Sequence, residues 1–206
     1  MKVLLINGSP HSAGCTFTAL SEAACRLESH GIETEIFHIG SAPVGGCTAC
    51  GGCSGKRRCV FEDTVNAAIE KAEASDGFLI GSPVYYASPN GSLISFLDRL
   101  FYAGGYALAC KPAAAVISAR RGGTTASFEV INKYFTINNM PVVSSQYWNM
   151  VHGSRPEDVK QDLEGLQTIR RLADNMAWLL KCIEAGRAQG IVPAEPETKI
   201  RTDFIR

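Results

Sequence analysis

The sequence has no excess of either charge sign and no long hydrophobic run. Its 206 residues carry 20 basic and 20 acidic side chains, so the formal net charge is +0. That balance excludes the broad basic surface through which proteins bind nucleic acid or anionic membranes. No apolar stretch approaches the roughly 18 residues of a membrane span, and the N-terminal apolar run is too short for a signal peptide. We therefore expect a cytoplasmic protein without a nucleic-acid or membrane partner.

Repeats, low-complexity tracts and interdomain linkers are also missing, which favours a single domain. Short apolar runs alternate with segments of helical periodicity, the pattern of a parallel α/β sheet. The predicted strands are 3–6, 34–39, 78–80, 113–118 and 141–145. Joined by right-handed crossovers, they predict an α/β fold with a doubly wound, five-stranded parallel sheet. This domain covers residues 1–189, and a C-terminal tail follows at 190–206.

Two helix starts carry specific sequence signals. Pro89 follows Ser88 and is expected at the first helical position, where its fixed φ suits a helix. Ser154 and Glu157 have the spacing of a capping box, which predicts the start of a last helix that ends near Gly186. Ligands of a doubly wound sheet bind beyond the carboxyl ends of its strands. The loops after strands one, three and four are therefore the candidate binding loops.

The loop after the first strand lacks both common nucleotide signatures. Residues 8–16 contain neither the Lys-Ser or Lys-Thr pair of a P-loop nor G-x-G-x-x-G. Hydroxyl groups and the backbone N–H groups at the following helix start can instead donate to phosphate oxygens. The candidate phosphate-binding residues are Ser9, Pro10, Ser12, Cys15 and Thr16, with Cys15 as a neutral thiol. This pattern favours a monophosphate held by hydrogen bonds, and the alternative is a turn that only caps the helix.

Segments 6–16, 81–91 and 96–99 resemble those of the flavodoxin-like NAD(P)H-dependent FMN reductases. The resemblance implies a flavodoxin-like fold with bound FMN, whose isoalloxazine ring lies along the loop after strand three. It places the loop after strand four at the pyrimidine end of the ring. The residues that it assigns to FMN in these two loops are Pro83, Val84, Tyr85, Tyr86, Ala119, Arg120, Gly122 and Gly123.

The chemistry of these residues suits that role. Pro83 stiffens its turn, the two tyrosines offer aromatic surface, and backbone amides can stabilise the negative charge of a reduced flavin. Gly122 and Gly123 allow the backbone to approach a ligand closely. Two structural alternatives stay open: the tyrosines as half-buried core residues, and Arg120 as a solvated surface side chain.

Four of the eight cysteines lie in one long loop at 40–62. They are Cys47, Cys50, Cys53 and Cys59, with the spacing C-x2-C-x2-C-x5-C. Consecutive C-x2-C steps wrap thiolates around one centre, as in ferredoxin loops, and an iron–sulfur cluster accounts for all four. A structural zinc usually takes two separated pairs, and a redox dithiol accounts for only two cysteines. Zinc and a loop without metal remain alternatives.

With this motif after strand two, the sequence is similar to the iron–sulfur flavoproteins, a branch of the same family. The resemblance implies that the four loop cysteines bind a [4Fe–4S] cluster. It implies an oxidoreductase whose FMN takes electrons from NAD(P)H and passes them to a flavin, quinone or other small acceptor, with the cluster as relay. The alternative is a flavodoxin-type carrier that accepts electrons from ferredoxin without NAD(P)H activity. We expect a homodimer or homotetramer, and we assign no residue to acid–base catalysis.

Overall fold

The computed structural model describes residues 1–204. Its elements in chain order are β1 Lys2–Asn7, α1 Cys15–Ser29, β2 Glu33–His38, α2 Thr64–Glu73, β3 Gly77–Tyr85, β4 Ser88–Pro89, α3 Gly91–Leu108, β5 Ala113–Ala119, α4 Thr124–Ile137, β6 Met150–His152, α5 Pro156–Val159 and α6 Leu163–Ala188. Within this described range, none of the helices is both long and apolar enough to pass through a membrane.

The sheet has the order β2-β1-β3-β5-β6, and every neighbouring pair in this order is parallel. The short β4 pairs antiparallel with the end of β3. From β1 the chain moves outward to β2 and then returns to the other side of β1 as β3. The strand order therefore reverses between β1 and β3, which is the switch point of a flavodoxin-like sheet. The predicted doubly wound parallel sheet is confirmed.

Two apolar layers cover the sheet. Leu4 and Ile6 of β1 pack with α2, α3 and α4 on one face. Val3 and Leu5 alternate with them and pack against α1 and α6 on the other face. Because both faces of the central strands are covered, the strands read as continuous apolar runs rather than as alternating patterns.

The predicted fifth strand at 141–145 is wrong. A single bridge between Val142 and Ala113 joins this segment to β5, through backbone hydrogen bonds of Pro141 and Val143 with Ala113. The strand forms later, as β6. The buried Asn149 explains the shift, because its amide group donates to the Ala115 carbonyl at 3.0 Å and its oxygen accepts from Ser145. The chain rejoins the sheet only after this contact.

Both predicted helix starts are displaced. Pro89 belongs to β4, and α3 begins after it because the Asn90 side chain accepts the Ser92 N–H at 3.1 Å. The signal at 154–157 precedes the one-turn helix α5 instead of the last helix. The last helix, α6, starts after Asp162, which caps it by accepting the Gly165 N–H at 2.9 Å, and runs on to Ala188.

Candidate functional site

A cavity of about 750 Å³ opens at the carboxyl ends of four parallel strands. The loops after β1, β3, β5 and β6 form its walls. Its lining consists of residues 9–16, 83–85, 118–120 and 153–156. Its volume is in the range of small-molecule and cofactor sites, and it lies where doubly wound sheets bind their ligands.

The loop after β1 is shaped by Asn7, whose side chain is fully buried. Its amide nitrogen donates to the carbonyls of His11 and Ser12, and its oxygen accepts the Ser9 N–H at 3.1 Å. The Ser9 hydroxyl accepts the His11 N–H at 3.1 Å. The loop therefore curls around one side chain before α1 begins.

The start of α1 keeps its hydrogen-bond donors available. Gly14 occupies the N-cap position and has no side chain to satisfy the first-turn N–H groups. Free N–H groups at a helix start, together with the helix dipole, favour an anion. The start of α1 can therefore donate hydrogen bonds to an anion in the cavity.

Two side chains at the start of α1 connect the cavity walls. The Thr16 hydroxyl, which is buried, lies 2.8 Å from the Ser118 hydroxyl at the end of β5. The Cys15 thiol donates to the Gly153 carbonyl at 3.6 Å. Burial raises the pKa of Cys15, so the neutral thiol faces the cavity and adds no negative charge beside a phosphate.

Asn90 fastens the loop after β3 to the loop after β1. Its backbone N–H donates to the Ser82 hydroxyl at 3.0 Å, and its amide nitrogen donates to the Gly8 carbonyl at 2.7 Å. Its side-chain oxygen caps α3. One buried residue thus joins the loops after β1 and β3 to the helix that follows them.

All four loop cysteines line a second, smaller cavity of about 140 Å³. Cys59 is buried, and the Arg99 Nε of α3 donates to its sulfur at 3.3 Å. Hydrogen bonds from the Gly52 backbone and then the Thr48 side chain lower the pKa of Cys50. N–H donors directed at cysteine sulfur are a common feature of iron–sulfur sites.

The donor set of this second cavity fits a cluster. Among residues 1–204, no three His, Cys, Asp or Glu side chains form a group that could hold one metal ion. The four thiols instead surround a shared, mainly hydrophobic space that also includes Phe61 and Ala103. A [4Fe–4S] cluster binds its cysteines at four separate irons, whereas one zinc ion draws all four sulfurs to itself. Four cysteines that line one cavity match the number of thiolates that a [4Fe–4S] cluster needs.

The model of the NADPH-dependent FMN reductase family matches residues 1–155. The chain belongs to this family. An iron–sulfur flavoprotein of Methanocaldococcus jannaschii is 32% identical over 192 residues, which are 89% of this chain and 100% of that protein. Family membership supports an FMN-dependent oxidoreductase.

Two solved structures share the flavodoxin-like fold of this FMN reductase family member. RosB with a bound 8-demethyl-8-formylriboflavin-5′-phosphate intermediate has a TM-score of 0.69 at 17% identity, over 100% of this chain and 94% of RosB. A flavodoxin from the domain Archaea has a TM-score of 0.60 at 14% identity, over 88% of this chain and 99% of the flavodoxin.

Most of the predicted FMN residues of this family member line the large cavity. They are Ser9, Pro10, Ser12, Cys15, Thr16, Pro83, Val84, Tyr85, Ala119 and Arg120. Tyr86, Gly122 and Gly123 do not line it. Tyr86 is fully exposed in the turn of the β3–β4 hairpin, in a left-handed conformation with φ of 50°. Gly123 has φ of 96° and lies against the Ala87 backbone, so it brings two walls of the cavity into contact.

Sequence reasoning missed the fourth wall, residues 153–156. It includes Arg155, which lines the cavity together with Arg120 and adds a second cation. The expected binding loops follow strands one, three and four only, and the expected fifth strand ends at 145, well before β6, so this wall falls outside both expectations. Gly153 and Pro156 bracket a short polar turn, and that signal marks the loop once the strand is placed correctly.

Proposed function

We propose that this protein binds FMN in the 750 Å³ cavity and reduces it with NAD(P)H. The observation that carries the proposal is the position of the cavity at the β1/β3 switch point, enclosed by the loops of four strands. Bound FMN supplies hydride and one-electron chemistry that no side chain of the chain can provide. The family assignment and the flavin phosphate bound to RosB support the same ligand.

The phosphate of FMN would lie against residues 9–16. The Ser9 hydroxyl accepts a hydrogen bond from His11, which leaves its own hydrogen free to donate to a phosphate oxygen. Ser12 and the first-turn N–H groups of α1 add further donors. Arg120 and Arg155 bring positive charge from two other walls and favour the dianion over neutral ligands.

The isoalloxazine ring would lie against the loops after β3 and β5. Pro83, Val84 and Tyr85 present apolar and aromatic surface, and Ala119 at the end of the neighbouring strand β5 lines the same cavity. These groups orient the ring and exclude water from part of it. Tyr86 and Gly123 do not line the cavity, and they lie in and against the hairpin that continues its β3 wall.

We further propose that Cys47, Cys50, Cys53 and Cys59 hold a [4Fe–4S] cluster. The cluster supplies a one-electron path between the flavin and an acceptor, which is a flavin, a quinone, another small molecule or a redox protein. The shared cavity of the four thiols and the N–H donors at their sulfurs support this assignment. The iron–sulfur flavoprotein relative supports it independently.

Flavin binding is tested by placing a carboxylate in the phosphate loop. Ser12→Asp puts a negative charge beside the phosphate and should raise the FMN dissociation constant at least about tenfold, or ~1.4 kcal/mol. Ser41→Asp is the matched control, because Ser41 is also an exposed loop serine but does not line the cavity. Equal affinities of both variants, measured by quenching of FMN fluorescence, would place the phosphate elsewhere.

The cluster is tested by iron and sulfide analysis of protein purified without air. Iron and acid-labile sulfide should appear in the proportions of one [4Fe–4S] cluster per chain. Cys50→Ser should remove most of the iron, whereas Cys25→Ser, an exposed cysteine of α1, should keep it. If the wild-type protein contains zinc and no acid-labile sulfide, the loop binds a structural zinc ion instead of a cluster.

The electron donor is tested by anaerobic mixing with NADH, NADPH or reduced ferredoxin while the flavin absorbance is followed. Bleaching of the flavin band by a nicotinamide within seconds supports the reductase. Bleaching by ferredoxin alone would identify the chain as an electron carrier instead.

A further inference from the structure

Arg99 is the only charged residue among the buried residues that the structure describes. It lies in α3, and its side chain is 2% exposed to solvent. A charge in such a place is costly unless every donor has a partner. Its surroundings therefore indicate what the residue does.

The Arg99 guanidinium has five N–H groups, and the structure provides five acceptors for them. The Nε donates to the Cys59 sulfur at 3.3 Å. One terminal nitrogen donates to the Gly45 carbonyl at 3.3 Å and to Asp63 at 2.6 Å. The other donates to the Phe61 carbonyl at 3.3 Å and to Asp63 at 2.9 Å. The planar fork of arginine can make this set of contacts, and the three-donor ammonium of lysine cannot.

These acceptors lie on both sides of the cysteine motif. Gly45 precedes its first cysteine, Cys59 is its fourth cysteine, and Phe61 and Asp63 follow it before α2 begins. Arg99 therefore holds the two ends of the loop and one cysteine sulfur on a single rigid helix. The Phe61 ring also packs on the guanidinium, with its centroid 5.1 Å from the central carbon.

A second buried side chain holds Cys59 without touching its sulfur. Asn66 of α2 accepts the Cys59 N–H at 2.8 Å and donates to the Cys59 carbonyl at 3.1 Å. At Cys59, Asn66 thus anchors the backbone and Arg99 contacts the sulfur. Replacing Asn66 therefore tests the backbone anchoring without changing the charge beside the sulfur.

We propose that Arg99 is the positioning residue that sets the reduction potential of the metal centre in the cysteine loop. The inference rests on the proposed [4Fe–4S] cluster. When the cluster gains one electron, its negative charge rises and no bond forms or breaks. A cation hydrogen-bonded to a ligand sulfur stabilises that reduced state, because net charge and hydrogen bonds to sulfur both tune cluster potentials. Arg99 thus makes the cluster easier to reduce, and Asp63 partly offsets this effect.

The test compares variants whose electrostatic effects have opposite signs. Arg99→Gln removes the cation and should lower the potential enough to change the ratio of reduced to oxidised cluster tenfold, which is 59 mV for one electron. Asp63→Asn keeps a cap for α2 but leaves the cation unbalanced, so the potential should rise. Arg99→Lys keeps the charge without the fork, and its potential should lie between those of wild type and Arg99→Gln.

Two controls complete the comparison. Asn66→Ala removes the hydrogen bonds that hold the Cys59 backbone without changing the charge. A chelator should therefore remove iron faster, and the shift in potential should change the ratio of reduced to oxidised cluster by less than twofold. Arg170→Gln removes a cation that pairs with Glu22 in the layer of α1 and α6, on the other face of the sheet, and should alter neither quantity.

The measurement is an anaerobic titration with dithionite, in which the paramagnetic signal of the reduced cluster is followed. Opposite shifts for Arg99→Gln and Asp63→Asn support the proposal. Shifts of the same sign, or potentials equal to wild type, would overturn it while leaving the cluster itself established. Wild-type protein without iron would overturn both this inference and the cluster, and iron analysis distinguishes that outcome from the others.

Discussion

Replacing Asn90 should weaken both the fold and the FMN site, by an amount that can be worked from its contacts. Asn90→Ala removes the N-cap of α3, which costs about 1 kcal/mol. It also leaves the buried Gly8 carbonyl without its 2.7 Å donor, at a cost of about 1–3 kcal/mol. The free energy of unfolding should therefore fall by about 2–4 kcal/mol.

Asn90→Ser separates the two contributions. The serine hydroxyl still caps a helix, but it is too short to reach Gly8, so we expect a loss of about 1–3 kcal/mol. Because Gly8 leads into the phosphate loop, both variants should also bind FMN more weakly than wild type. The alanine and serine variants should differ in stability by roughly the value of the cap alone.

The assay is urea unfolding of the apoprotein, combined with FMN titration by fluorescence. If the slope of the unfolding free energy against urea concentration is unchanged, the variant differs from wild type in stability and not in the surface that unfolding exposes. A loss below about 0.5 kcal/mol for Asn90→Ala would refute the reasoning, because such a value is expected of an ordinary surface position. Normal FMN affinity in a destabilised variant would refute the link between this side chain and the phosphate loop.

Three further outcomes follow from contacts near the site and at the sheet edge. Gly123→Ala should cost at least about 1 kcal/mol in urea unfolding, because φ is 96° and a Cβ would lie 2.7 Å from backbone. Gly122→Ala has open space and should cost less, so equal losses would contradict this explanation. Thr16→Val leaves the buried Ser118 hydroxyl without its hydrogen-bond partner and should lower the free energy of unfolding by about 1–3 kcal/mol. Unchanged stability would show that another partner replaces Thr16. Hydrogen bonds from Lys2 of β1 and then Lys71 of α2 lower the pKa of Glu35. The ionised Glu35 carboxylate therefore stabilises the fold above its unfolded-state pKa, and this contribution is lost as pH falls through its folded-state pKa. Glu35→Gln should therefore lower the free energy of unfolding by under about 1 kcal/mol at neutral pH. A difference from wild type that persists in acid would contradict this direction of the pKa shift.

The sheet and the main cavity were predictable because they depend on local patterns. Apolar runs such as 3–6 mark strands covered on both faces, and loops at their carboxyl ends face one site. The segment 40–62 was predicted as a loop, and it lies between β2 and α2 without a helix or strand. None of these features depends on which distant residue a particular side chain contacts.

The features that sequence reasoning missed depend on contacts between distant residues. Asn149 shifts the last strand through a bond to β5, and nothing in the local sequence indicates that partner. Pro89 suits both a helix start and a strand end, and pairing with Val84 decides between them. Arg99 resembles an ordinary helix arginine until the loop ends are placed around it.

Helix α3 carries both anchors, Asn90 at its N-cap and Arg99 further along. About two and a half turns of helix, or roughly 13 Å, separate them. Adding or deleting one residue between them would turn one anchor by about 100° around the helix axis relative to the other and shift it by about 1.5 Å. Asn90 and Arg99 could not then both keep their present partners. The segment 91–98 must therefore keep its length, even where its side chains can be exchanged.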